Sequence, residues 1–369
     1  MPSSFLSFFA VFGLSVALTI GYRFMALRWG LVDSPDARKR HVGQVPLCGG
    51  LAMFSAFAIA SALFARTHAV PLNVGLALFL LTVCGAADDR WRLSATPRLI
   101  VYFLAAAMIL LPEVGQGINF GAFVHIPQPW LTPVGFAVCT LLIVGLINAT
   151  NMTDGADGLC GGWGAAALFW LAMLARDVGR PRLASVALLL LAAVVGFLAF
   201  NMRHPWRSRA SVFMGDAGSV ALGGALGFVG IALAAGEGSI SLPLLAWIVI
   251  VPMTDMASLV VRRLLARRSP MSADRWHLHH LMQDMGIPHA TTVGLIIIAS
   301  TLCGAVSWAG YALKIPDGIL ALGLIVPIAV HTAFVLIATK RVTLRAIRST
   351  LKTAPLPKIG DRKLKGSPQ

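Results

Sequence analysis

The sequence predicts an all-α protein that crosses a membrane about eleven times. Two observations predict it. The 369 residues are 57% hydrophobic and only 12% charged, with a mean hydropathy of +0.79; a soluble domain carries about 25% charged residues. The apolar residues also fall in runs near spanning length. A bilayer leaves no backbone polar group to water, so such runs must be helices.

The runs occupy residues 5–27, 47–65, 71–87, 98–112, 132–147, 161–176, 183–200, 218–235, 240–260, 291–310 and 318–338. A span needs about 20 residues, so the shorter runs are expected to extend into their flanks. A split or merger within 98–147 is the place where the count could change. The first run is too long and too weakly flanked for a cleaved signal peptide, and it lacks a clear cleavage site. The expected organisation is one transmembrane catalytic domain over residues 1–338, followed by a basic cytoplasmic tail over 339–369.

Lys and Arg set the orientation. When the loops are numbered alternately, one side receives Arg28, Arg38, Lys39, Arg40, Arg90, Arg92, Arg98, Arg203, Arg207, Arg209, Arg262, Arg263, Arg267, Arg268, Arg275 and the basic tail. The other receives only Arg66, Arg176, Arg180, Arg182 and Lys314. The rich side is expected in the cytoplasm, which leaves the N-terminus periplasmic and the C-terminus cytoplasmic. The net charge of +15 follows in part from this rule and from attraction to anionic lipid. In the loops, where basic residues alternate with Asp, Gly and His, it points to phosphate recognition. Nucleic acid is not an expected partner for a chain so buried in lipid. The five cysteines, Cys48, Cys84, Cys139, Cys160 and Cys303, are scattered in or beside spans and read as small packing residues.

The cytoplasmic loops hold nearly everything chemically unusual. The first runs from Asp33 through Arg38, Lys39 and His41 to Gly49-Gly50. The second is Asp88-Asp89-Arg90-Trp91-Arg92, with Arg98 at the next helix start. The third is Asn148-Ala-Thr-Asn151-Met-Thr-Asp154-Gly-Ala-Asp157-Gly. The fourth is Phe213-Met-Gly215-Asp216-Ala-Gly218-Ser219, and the fifth, from Arg262 to His289, contains Asp274-Arg275-Trp-His277-Leu-His279-His280. The outer loops are plain; the longest, about 113–131, is expected to form a small hairpin.

Carboxylates at a membrane edge are costly unless paired, solvated or metal-bound, so they mark a site. The third loop has no Lys or Arg of its own, which makes a divalent cation the natural counter-charge. Asn148, Asn151, Asp154 and Asp157 recur every three residues and share a helical face until Gly155 and Gly158 break the turn. Asp88-Asp89 reads as a solvated helix end, a metal site, or a base whose pKa its neighbour raises. Asp216 reads as a helix cap or a metal ligand, and Phe213 as an aromatic that stacks on a ring. His277, His279 and His280 lack the usual spacing of a zinc site and suit phosphate or sugar hydroxyls better. Asp255, inside a span, reads as a partner for Arg262 and Arg263 within the bundle, or as part of the site.

Together these motifs resemble one family, the bacterial polyprenyl-phosphate N-acetylhexosamine-1-phosphate transferases. The family pattern Pro-x-x-Arg-Lys-x-His-x-Gly-x-x-Pro-x-x-Gly-Gly is matched from Pro35 to Gly50. Asp88-Asp89, Asn148 to Leu159, Phe213 to Ser219 and His277 to His280 follow in the family's order, with Leu278 in place of the usual Ile. The segment Ser269 to His280 looks like the WecA type. The resemblance implies transfer of N-acetylglucosamine 1-phosphate from UDP-N-acetylglucosamine to undecaprenyl phosphate at the bacterial inner membrane. UMP leaves, and a lipid-linked O-antigen or related surface polysaccharide is begun. It implies Mg2+ as cofactor, with Mn2+ a substitute, and a homodimer through the spans. It assigns Asn151 and Asp216 to the metal, Asp157, Phe213 and Asn148 to the nucleotide, and Asp88, Asp89, Asp154 and Asp157 to catalysis. Arg38, Lys39, His41 and Arg98 would bind phosphate, and Arg275, His277, His279 and His280 the donor sugar.

The chemistry agrees with the residues. Phosphoryl transfer needs alignment and charge neutralisation more than covalent help. A direct displacement and a route through an aspartyl phosphate both fit. Rival readings are the same reaction with another UDP-N-acetylhexosamine, a transporter, and a scaffold. A transporter would place its site near the midplane between repeats, and a scaffold would not need five phosphate-suited loops on one side.

Overall fold

The computed structural model describes residues 2–33, 43–63, 70–122, 124, 131–272 and 274–353. The chain is built of helices: α1 (Pro2–Trp29), α2 (Gly49–Leu63), α3 (Leu72–Trp91), α4 (Ala95–Val114), α5 (Leu131–Thr153), α6 (Leu159–Asp177) and α7 (Pro181–Asn201). After them come α8 (Asp216–Ala234), α9 (Leu242–Leu265), α10 (Leu278–Asp284), α11 (His289–Ala312), α12 (Asp317–Gly323) and α13 (Ile325–Thr353). The only sheet among the described residues is a two-stranded antiparallel pair, β1 (Val32–Asp33) with β2 (Val45–Pro46).

Each of the eleven apolar runs coincides with helix. Ten helical segments among the described residues are long and apolar enough to cross a membrane. The eleventh run is α2, whose 15 described residues are fewer than a full span needs. The runs at 98–112 and 132–147 stay separate, as α4 and α5. The last run is one span by length but two helices by geometry, α12 and α13. At their junction Trp247 Nε1 donates to the Leu320 carbonyl at 3.0 Å, in competition with the helical bond from Leu324 N, which is stretched to 3.3 Å. The expected outer hairpin is absent from what is described there: Ile118 bridges instead to Ala235, on the far side of α8. Residues 123 and 125–130 of that loop lie outside the described residues.

Helix α8 is the buried axis of the bundle. Its faces meet α3, α5 and α2, and nearly all its side chains are buried. In lipid the hydrophobic effect does not drive helix association, so small residues that admit close packing decide it. α8 supplies them. A Cβ on Gly223 would sit 2.6 Å from Ile147 Cα, and one on Gly50 of α2 would sit 2.2 Å from Gly218 Cα. These crossings draw the ends of α2, α3 and α5 onto the first turn of α8, and that turn is where the motifs meet.

Candidate active site

Residue Gly215 opens the site. Its φ of +72° lets the chain turn sharply from Phe213-Met214 into α8, and no side chain fits there, because a Cβ would lie 2.5 Å from Asp89 Oδ2. Asp89 fills that space. Its Oδ1 accepts the Asp216 N–H at 2.9 Å and its Oδ2 the Ala217 N–H at 3.1 Å. Two of the N–H groups that a helix leaves unsatisfied at its start are thus capped from another helix.

Asp88, one residue earlier, belongs to a different group. Arg98 Nη1 donates to Asp88 Oδ2 at 2.6 Å and lies 3.9 Å from Asp216 Oδ2. The Asp88 and Asp216 carboxyls thus face the same guanidinium. Asn151 Nδ2 donates to Asp216 Oδ1 at 2.7 Å and to Ser219 Oγ at 3.0 Å. Four elements therefore deliver Asp88, Arg98, Asn151 and Asp216 to one point.

The first loop joins through backbone. Phe213 N–H donates to the Pro46 carbonyl at 2.9 Å, and the Gly49 and Gly50 N–H groups at the start of α2 donate to the Phe213 and Met214 carbonyls at 3.0 and 2.8 Å. Arg38, Lys39 and His41 lie outside the described residues.

The third loop folds over the same end. Asp157 Oδ2 pairs with Arg203 Nε at 2.7 Å and accepts the Ala210 N–H at 3.1 Å. The buried Asn201 accepts the Gly158 N–H at 2.8 Å and donates to the Val212 carbonyl at 3.0 Å, tying the third loop to the fourth. Asp154 is half-buried, and among the described residues no donor is bonded to its carboxylate. Burial, followed by the Asp89 and Asp157 carboxylates, pushes its pKa up to about 7. Asn148 stays apart: its side chain donates back to the Val144 carbonyl of its own helix at 2.8 Å.

The fifth loop docks on the third. A Cβ on Gly155 would lie 2.4 Å from His279 Nε2, a buried nitrogen with no hydrogen-bond partner. The His277 and His279 rings stack 5.6 Å apart, and His280 lies 4.2 Å from His279. Burial, followed by His280 and His277, holds His279 well below the usual imidazole range; burial, followed by Arg275, brings His280 down to about 4. Both rings are neutral near pH 7. Arg275 is spent on Asp284, at 2.8 Å within the same loop. Asp255 does not pair with Arg262 or Arg263. Those arginines hold the Trp276 carbonyl and Asp274 respectively, and Asp255 meets His277 and His331 instead.

Among the described residues no three His, Cys, Asp or Glu side chains are grouped so as to hold a metal ion. The cluster at Asp216 still suits Mg2+. It offers two carboxylates, those of Asp88 and Asp216, against the single charge of Arg98. Mg2+ is commonly held by one or two carboxylates, with waters and substrate phosphates completing its shell.

Sequence reasoning passed over Asn201, His289, His331 and the role of Arg203. His289 Nε2 meets the Asp157 carbonyl at 3.1 Å. A signal existed for two of them, since Asn201 directly follows an apolar run and His331 lies within one.

The family model described as glycosyl transferase family 4 matches residues 71–234. A protein of Yersinia pestis named undecaprenyl-phosphate alpha-N-acetylglucosaminyl 1-phosphate transferase is 32% identical over 319 residues, 84% of this chain and 85% of its own. The protein of the same name in Escherichia coli strain K12 is 31% identical over 310 residues, 81% of this chain and 82% of its own. A Bacillus subtilis protein named probable undecaprenyl-phosphate N-acetylglucosaminyl 1-phosphate transferase is 32% identical over 286 residues, 74% and 75% of the two chains.

Proposed function

Because the chain belongs to glycosyl transferase family 4, we propose that it transfers N-acetylglucosamine 1-phosphate from UDP-N-acetylglucosamine to undecaprenyl phosphate and releases UMP. The observation that carries this reading is the convergence of the second, third and fourth loops on the first turn of α8, around Asp88, Arg98, Asn151 and Asp216. The names of the relatives support the acceptor and the transferred group. The lopsided Lys and Arg distribution supports a site on the cytoplasmic face of a bacterial inner membrane, where a cytosolic nucleotide meets a lipid phosphate.

In this reading Arg98 holds the acceptor phosphate and Asp88 orients the guanidinium. An acceptor oxygen attacks the sugar-proximal phosphorus, a P–O bond forms, and the diphosphate bond to UMP breaks. The sugar C–O bond survives, so the anomeric configuration is kept. The acceptor phosphate has a second pKa near about 6, so it needs little help from a base. Asp216 and Asn151 would hold Mg2+, whose charge would offset that of the diphosphate. Asp157 and Phe213 serve the nucleotide, and the His277–His280 segment the sugar. The product would begin an O-antigen or related surface glycan.

The test is UMP release by purified protein given undecaprenyl phosphate, Mg2+ and a panel of UDP-sugars. Release with UDP-N-acetylglucosamine, abolished by EDTA, is expected. Release with a different UDP-sugar alone would replace the donor. No release from any donor, in protein shown to be folded, would overturn the reading.

A further inference from the structure

Asp255 lies within α9, is buried, and has no part in the reaction as proposed above. A buried carboxylate is costly unless its oxygens are engaged. Three groups engage it. Oδ2 meets His277 Nδ1 at 3.2 Å, while Oδ1 accepts the Leu278 N–H at 3.0 Å and meets His331 Nε2, from α13, at 3.2 Å.

We propose that Asp255 is a positioning residue for the donor sugar: it holds His277 as the Nδ1–H tautomer and keeps Nε2 as a hydrogen-bond acceptor for a hydroxyl or amide N–H of that sugar. The proposal rests on the reading that this loop receives the sugar. A carboxylate only accepts, so the ring nitrogen facing it must carry the proton, and in neutral imidazole the other nitrogen is then the acceptor. Holding a ring by a hydrogen bond to its distal nitrogen fixes both orientation and tautomer, as carboxylates do for metal-bound histidines.

The surroundings agree. α9 grips the loop at three successive points: Arg263 on Asp274 at 2.8 Å, Arg262 on the Trp276 carbonyl at 2.7 Å, and Asp255 on His277 and Leu278. Only the last touches a histidine ring. That ring stacks on His279, which lies against Gly155 of the third loop. A rotation of His277 therefore disturbs the surface where the third and fifth loops meet.

A purely structural role would be that of a cap on α10, and Asp255→Asn separates the two. Asparagine keeps the size and an oxygen for the Leu278 N–H. Its amide nitrogen, turned to His277, requires Nδ1 to accept and moves the ring proton to Nε2. The expected result in the UMP-release assay is a rise of about tenfold in KM for UDP-N-acetylglucosamine, the worth of one lost hydrogen bond. KM for undecaprenyl phosphate and Tm should stay unchanged. Unchanged kinetics, or a joint shift of both KM values with a fall in Tm, would overturn the proposal. If Asp255→Asn does not fold, His277 gives the same test. His277→Gln retains a donor and an acceptor and should keep KM within about threefold, while His277→Leu loses about tenfold; equal losses in the two would overturn it. Absence of UMP release by the wild-type protein would instead remove the underlying reading.

Discussion

Asp89 and Asp216 stand 127 positions apart in the chain, yet the carboxylate of the first accepts the backbone N–H of the second at 2.9 Å. The Ala217 N–H occupies the other oxygen. Two adjacent aspartates thus do different work: Asp88 faces Arg98 and Asp216, and Asp89 closes the helix that carries Asp216. The helix dipole favours a carboxylate at this end as well.

Replacement of Asp89 by alanine should cost about 1–2 kcal/mol, the usual worth of an N-cap, and more if both N–H groups stay buried without partners. Asp89→Asn keeps one accepting oxygen and should lose less. Thermal unfolding of the two variants in detergent checks the order; equal stability of Asp89→Ala and wild type would refute the cap.

Asp216→Asn should abolish UMP release while leaving Tm close to wild type. The backbone N–H that Asp89 caps survives the change, and only the side-chain charge beside Asp88 and Arg98 is lost. Near-normal activity of the purified variant would remove Asp216 from the proposed metal site.

The Asp154 pKa makes stability depend on pH. It is raised from 3.8 to about 7, so between those values the folded state holds a proton that the unfolded state releases. Its contribution is fully present below about pH 4 and is lost as pH rises through about 7. Wild-type Tm should therefore fall relative to that of Asp154→Asn between about pH 5 and pH 8. Parallel Tm curves for the two proteins would show that the carboxyl is not raised.

Gly50→Ala should prevent close approach of α2 to α8, because the new methyl would meet Gly218 backbone atoms at 2.2 Å. Backbone cannot rotate away as a side chain can, so the cost should reach or exceed about 3 kcal/mol. Gly75→Ala, with nothing within 4 Å, is the control and should be neutral or slightly stabilising. Recovery of folded protein from detergent extracts, followed by Tm, distinguishes them.

Gly215 and Asp216 stand out as a Gly-flanked carboxylate beside an aromatic, and they do lie at the centre of the site. Asp255 stands out as an acid within a span, but its neighbours in sequence suggested Arg262 and Arg263, whereas its contacts are His277 and His331. His331 is 76 positions away, and no local pattern links the two. In the described part of the outer loop at 113–131, Ile118 likewise pairs with Ala235, a residue far away in the chain.

By itself the sequence determined the helical class, the positions of all eleven apolar runs and the set of loops that share one face. These follow from sums over consecutive residues, because a segment enters lipid as a unit and its backbone must bond within itself. Only the tertiary structure decided which polar group meets which. That choice depends on how closely helices approach, at glycines such as Gly50, Gly218 and Gly223, and so on surfaces contributed by residues far apart in the chain. Asp88 and Asp89 are neighbours and chemically alike, and the rotation of about 100° between them on α3 sends one to Arg98 and the other to the start of α8.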